Sequence, residues 1–145
     1  MSEKDDSKSL IDQTSPNQAV TGGGETILLV EDEEVLLDLL QVLLESEGYH
    51  TMTAANGEDA VEIYRKEKEK IAIVLSDMGL PKLGGWEVLR VLRDINPAVK
   101  VILASGYLDQ SLKAEMIKAG AKDFVQKPYI PDQILKRIRE VIGGS

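Results

Sequence analysis

The sequence predicts a parallel, doubly wound α/β sheet in which each of five strands is followed by a helix, in the strand order 2-1-3-4-5. Two observations carry this. Short apolar runs rich in β-branched residues alternate with longer stretches of helical period, and the connections between them are short. The runs Thr26 to Val30, Ile71 to Leu75 and Val99 to Ala104 are apolar on both alternating faces, the pattern of strands covered by helices on both sides. Right-handed crossovers then place helices on the two faces of one sheet, and five strands suit the flavodoxin-like order.

The elements follow in order. Residues 1–24 are polar, lack periodicity and end in three glycines, and are expected to form a flexible leader or linker. The glycines precede the first strand, whereas a phosphate-binding glycine loop follows a strand and opens a helix, so that reading is set aside. Strand 1, Thr26 to Val30, ends in Glu31-Asp32; a helix over 33–47 is stopped by Gly48. Strand 2 covers Tyr49 to Ala54, and Asn56-Gly57 turn into a helix over about 58–69. Strand 3 is Ile71 to Leu75 and runs into Ser76-Asp77, where Gly79-Leu80-Pro81 and Gly84-Gly85 break it. A third helix spans Trp86 to Ile95. Strand 4, Val99 to Ala104, ends at Ser105, and a helix over Asp109 to Ala119 closes at Gly120. Strand 5 is Asp123 to Gln126, ending at Lys127-Pro128. Pro131 opens the last helix, with Ile134, Ile138 and Ile142 as its core stripe. Residues 143–145 read as a tail.

The chain has 145 residues, a net charge of −8, no cysteine and one histidine, His50. The charge argues against duplex nucleic acid or an anionic membrane as the main partner. The missing cysteines exclude disulfides and thiolate chemistry, and no stretch approaches a membrane span. A cytoplasmic location is expected. No DNA-binding pattern occurs and no output domain is expected after Ile142, so the protein is expected to act through other chains or to be a fragment.

Glu31-Asp32, Asp77, Ser105 and Lys127 stand at the carboxyl ends of strands 1, 3, 4 and 5, the edge where open α/β sheets bind ligands. Singly, each has a plain explanation as a helix-favouring acid, a turn hydroxyl or a surface lysine. Together they describe a site. Three crowded carboxylates repel, by on the order of 4 kcal/mol per pair at about 4 Å and an effective dielectric of 20. One lysine does not balance them. A divalent cation does, and an all-oxygen donor set selects Mg²⁺ or Mn²⁺ over zinc. A carboxylate beside such a cation and a lysine is equipped to accept a phosphoryl group as an aspartyl phosphate.

These residues resemble the response-regulator receiver domains of two-component signalling over about Thr26 to Ile142. The likeness rests on Val30-Glu31-Asp32-Glu33-Glu34, Asp77-Met78-Gly79-Leu80-Pro81 with Gly84-Gly85, Ser105, and Lys127-Pro128. The resemblance implies a receiver domain over 25–142 with Asp77 as phosphoacceptor. It implies Mg²⁺ held by Asp32, Asp77 and the Gly79 carbonyl, with Glu31 through water. Ser105 and Lys127 would contact phosphoryl oxygens, Ser105 and Phe124 would form the switch, and the Lys127-Pro128 bond would be cis. Leu80 replaces the usual methionine, Gly106 the usual small residue after the hydroxyl, and Phe124 the commoner tyrosine. The implied partners are a histidine kinase or histidine phosphotransfer domain and an unknown downstream protein, with a weak homodimer through helix 4, strand 5 and helix 5. The leader resembles the joint ahead of receiver modules in hybrid histidine kinases, as it would that of a stand-alone receiver.

Competing classes fit less well. Haloacid-dehalogenase-like phosphatases need a second acid two residues after the nucleophile, where Gly79 stands. A flavodoxin-like cofactor site would not place four consecutive acids, Glu31 to Glu34, against a phosphate. The alternative is a receiver-fold interaction module that does not use the chemistry; the intact set of acids, hydroxyl and lysine argues against it.

Helix 1 offers a last signal. Its spacing places Leu36, Leu39, Leu40 and Leu43 towards the sheet, Val35 and Val42 on one margin and Leu37 and Leu44 on the other. This is an apolar arc of roughly 200°, wider than a core stripe needs. The plain expectation is a deeply seated helix; the functional one is that a margin docks a kinase or phosphotransfer helix, which fails if all four marginal residues are buried.

Overall fold

The computed structural model describes residues 23–144. The expected leader therefore lies outside the described residues except for Gly23 and Gly24, as does Ser145. Five strands, β1 (Thr26–Val30), β2 (His50–Ala54), β3 (Ile71–Asp77), β4 (Val101–Ser105) and β5 (Asp123–Gln126), form one parallel sheet in the order β2-β1-β3-β4-β5. Helices α1 (Glu34–Ser46), α2 (Gly57–Glu67), α3 (Gly85–Ile95), α4 (Gln110–Lys118) and α5 (Pro131–Gly143) connect and close them. Fold and strand order are those expected.

Alternation along each strand divides the core in two. Ile27, Leu29, Ile73, Leu75, Ile102 and Ala104 face α1 and α5 through Leu40, Leu44, Ile134 and Ile138. Leu28, Val30, Val74, Val101 and Leu103 face α2, α3 and α4 through Val61, Tyr64, Leu89, Leu92 and Met116. Both faces are covered, which is why the strands read as continuous apolar runs.

Local chemistry sets the boundaries. Asn56 caps α2 by accepting the Asp59 N–H at 2.8 Å, and Asp109 caps α4 by accepting the Leu112 N–H at 2.7 Å. Gly48 and Gly120, at φ +94° and +108°, end the turns after α1 and α4 in the left-handed region.

Three expectations are corrected. β4 begins at Val101 rather than Val99, because Val99 donates its N–H back to the Asn96 carbonyl in the turn after α3. Gly143 ends α5 rather than starting a tail. On α1, Leu40 faces inward as expected, but Leu44 and Leu37, expected on a margin, pack with it, while Leu39 does not and Leu36 and Leu43 are only half-buried. Leu39 is 60% exposed, with Val35 and Val42 at 72% and 67%; the helix packs on β1 and β2, and Leu39 and Val42 line an open groove towards α5. Among the described residues no helix is long and apolar enough to cross a membrane.

Candidate functional site

Sheet register brings the site together. Val30 pairs with Ser76, so Glu31 and Asp77 stand level at adjacent strand ends. Asp77 pairs with Ala104, Ala104 with Val125, and Lys127 follows two residues later on the outer strand. A backbone bond from Lys127 N–H to the Ser105 carbonyl, 2.8 Å, ties the ends of β4 and β5. The Lys127-Pro128 peptide is cis, as the resemblance implied.

Carboxylate oxygens of Glu31, Asp32 and Asp77 lie within 4.8 Å of one another, with Glu31 and Asp77 buried and Asp32 exposed. This is a compact set of hard oxygen donors, open to solvent on the Asp32 side, and it fits a small divalent cation. Lys127 Nζ is the counter-charge, 3.2 Å from Glu31, 3.4 Å from Asp77 and 3.6 Å from Glu33. Burial pushes the Glu31 carboxyl above its usual range; the Glu33 N–H and Lys127 bonds oppose this, and the Asp77 charge adds to it. Burial alone would lower the Lys127 ammonium, but the Glu31 bond and the Asp77 and Glu31 charges outweigh it and raise it.

The loop after β3 closes over Asp77. Gly85 N–H donates to the Met78 carbonyl at 3.1 Å, and a Cβ on Gly85 would lie 2.7 Å from Met78 Cα. Only a residue without a side chain lets the loop return this tightly, which accounts for the second glycine of the pair. Gly79 sits beside the acid: a Cβ there would lie 3.9 Å from Asp77 Oδ2.

Ser105 and Phe124 are not gathered in the same way. The Ser105 hydroxyl donates to the Tyr107 carbonyl at 2.9 Å and accepts the Tyr107 N–H at 3.2 Å, so it is engaged in its own loop. Phe124 is half-buried against the core, with Lys113 Nζ 5.4 Å and Arg137 Cζ 5.8 Å from its ring centroid. Two neighbours were missed in the sequence, Glu33 and Tyr129. Tyr129 O–H lies 3.3 Å from Glu31 Oε1, and burial raises its phenol above the usual range. Its place two residues after Lys127 was the available signal, but nothing in the sequence says which way the ring turns.

Leu36, Leu39, Val42 and Leu43 of α1 and Pro128 and Tyr129 contribute to an apolar groove of about 470 Å³, which shares Tyr129 with the site.

Residues 27–139 match the family described as response regulator receiver domain. The chain is 33% identical over 119 residues to the chemotaxis protein CheY of Thermotoga maritima, covering 81% of this chain and 98% of that protein. It is 34% identical over 119 residues to the alkaline phosphatase synthesis transcriptional regulatory protein PhoP of Bacillus subtilis, covering 82% of this chain but about half of that protein, 49%. A solved CheX–CheY complex with beryllofluoride and magnesium, from Borrelia burgdorferi, superposes with a TM-score of 0.79 at 30% identity, over 83% of this chain and 90% of that one. On this match, and with an acid cluster at the carboxyl edge of its sheet, the chain belongs to the response-regulator receiver family and is a phosphoryl-accepting signalling module.

Proposed function

We propose that Asp77 is the phosphoacceptor, with Lys127 and a divalent cation on Asp32, Asp77 and the Gly79 carbonyl, and on Glu31 through water, as its electrostatic partners. The observation that carries this is the gathering of Glu31, Asp32 and Asp77 carboxylate oxygens within 4.8 Å of one another, with Lys127 Nζ 3.4 Å from Asp77. Mg²⁺ or Mn²⁺, when bound, neutralises the acids and the charge developing on phosphoryl oxygens.

An Asp77 carboxylate oxygen attacks the phosphorus of a partner's phosphohistidine. The P–O bond forms as the P–N bond breaks, and the electron pair returns to the imidazole. Lys127 follows the phosphoryl oxygens, and Ser105 leaves Tyr107 to hold one of them. Water later attacks phosphorus and regenerates the carboxylate, so self-phosphorylation from small acyl phosphates and self-dephosphorylation share one site. The added charge, about −2, acts through Ser105 and Phe124 on the surface of α4, β5 and α5, where a downstream protein or a second copy binds weakly. The exposed margin of α1 receives a histidine kinase or histidine phosphotransfer helix, because its groove shares Tyr129 with the acid site. The module works in the cytoplasm, alone or as part of a larger kinase.

The test is incubation of the full chain with Mg²⁺ and a small acyl phosphate, followed by intact mass, with beryllofluoride binding as a control for a short-lived adduct. A phosphoryl adduct is expected on the wild type and not on Asp77→Asn. An adduct on Asp77→Asn, or neither adduct nor beryllofluoride binding on the wild type, overturns the assignment in favour of an interaction module that does not use the chemistry.

A further inference from the structure

Tyr129 touches the acid pocket, and none of the roles above uses it. Glu31 is 1% exposed, so its carboxylate depends on donors inside the protein. Oε2 accepts the Glu33 N–H at 3.2 Å, with Lys127 Nζ at 3.5 Å. Oε1 is approached by two side chains at once, Lys127 Nζ at 3.2 Å and Tyr129 O–H at 3.3 Å.

A phosphoryl group built onto Asp77 competes with Glu31 for the three N–H donors of Lys127, which are already divided among Glu31, Asp77 and Glu33. When the lysine turns away, a buried carboxylate oxygen loses its charged donor, and the loss opposes the movement. We propose that Tyr129 is a positioning residue that takes over Glu31 Oε1 when Lys127 turns to the phosphoryl group, and thereby makes the lysine available. The inference rests on the reading of Asp77 as phosphoacceptor and of Lys127 as its phosphoryl contact.

The geometry suits a standby donor. At 3.3 Å the O–H···O contact is longer than the usual 2.7–2.8 Å, as expected where an ammonium holds the same oxygen. The ring is held in place: it packs against the core of the α1 and α5 face and lines the groove on α1. Lys127 Nζ lies 5.7 Å from the ring centroid, so the ammonium has an aromatic face to move along as it changes partners. Tyr129→Phe keeps the ring, its packing and that face, and removes the hydroxyl alone.

The test compares the full-length wild type with Tyr129→Phe. Three quantities are measured: Mg²⁺ affinity by calorimetry, beryllofluoride affinity at saturating Mg²⁺, and the rate of phosphorylation by acetyl phosphate. Beryllofluoride affinity and rate are expected to fall roughly tenfold, while Mg²⁺ affinity stays within about twofold and the melting temperature within about 4 °C. In a Lys127→Met background, adding Tyr129→Phe is expected to lower the residual rate no further, because the hydroxyl acts through the lysine. Wild-type beryllofluoride affinity and rate in Tyr129→Phe overturn the proposal. So does a fall in Mg²⁺ affinity as large as the fall in rate, or a further loss in the Lys127→Met background. A wild type that neither binds beryllofluoride nor acquires a phosphoryl group refutes the Asp77 reading itself, whereas a loss confined to Tyr129→Phe leaves that reading standing.

Discussion

Lys127 answers to three carboxylates at 3.2, 3.4 and 3.6 Å, and this competition is the central fact at the residue scale. The ammonium lies nearest Glu31, the most deeply buried of the three carboxylates. Gly85 shows a second residue-scale constraint, steric rather than electrostatic. A methyl group at this position meets Met78 Cα at 2.7 Å and the Asp77 carbonyl at 3.1 Å, both backbone atoms with no rotamer to retreat into. Gly85→Ala is therefore expected to destabilise the protein by about 2 kcal/mol in urea unfolding and to slow phosphorylation by displacing Asp77. Unchanged stability and rate would mean that the loop relaxes freely.

At the scale of elements, α1 has more apolar surface than its seat on the sheet requires. Leu37, Leu40 and Leu44 pack inward, while Leu39 and Val42 remain 60% and 67% exposed along the groove that Tyr129 also lines. Leu39→Glu and Val42→Glu remove little from the core, so their melting temperatures are expected to stay near that of the wild type. Phosphoryl transfer from a histidine phosphotransfer protein is expected to slow by about tenfold or more, with labelling by acetyl phosphate unchanged. Equal losses with both donors would place the effect in the acid pocket instead of a docking surface.

For the whole molecule, stability and pH are linked through groups far from one another. Tyr64 is buried between α2 and α3; burial raises its phenol above the ordinary value of 10.0, and the bond it accepts from Asn96 at 2.9 Å opposes this. A raised folded-state value means that the native state holds its proton more tightly. The contribution is thus fully present below about pH 10 and is lost as pH rises through the folded value. Lys127, also raised, acts with the same sign. Urea unfolding followed from about pH 8 to about pH 11 is expected to show falling stability, with a shallower fall in Tyr64→Phe. An identical slope in the variant would assign the effect elsewhere.

Much of this architecture was legible in the chain. The five strands and the acids, hydroxyl and lysine at their carboxyl ends follow from alternation and short connections, which are properties of local sequence; the strand order is that of the flavodoxin-like fold that five such units suit. The inward face of α1 was not, because a helix apolar over roughly 200° can be seated in several rotations and only its packing on the sheet selects one. The engagement of Ser105 with Tyr107 depends on a loop whose backbone the hydroxyl itself helps to fold. Glu33 joined the site through a lysine 94 residues away, and Tyr129 through Glu31, 98 residues away. By itself the sequence determined which chemical groups gather at the sheet edge. Only the tertiary structure decided which donor holds which acid, because those pairings depend on side-chain directions and burial that strand periodicity does not encode.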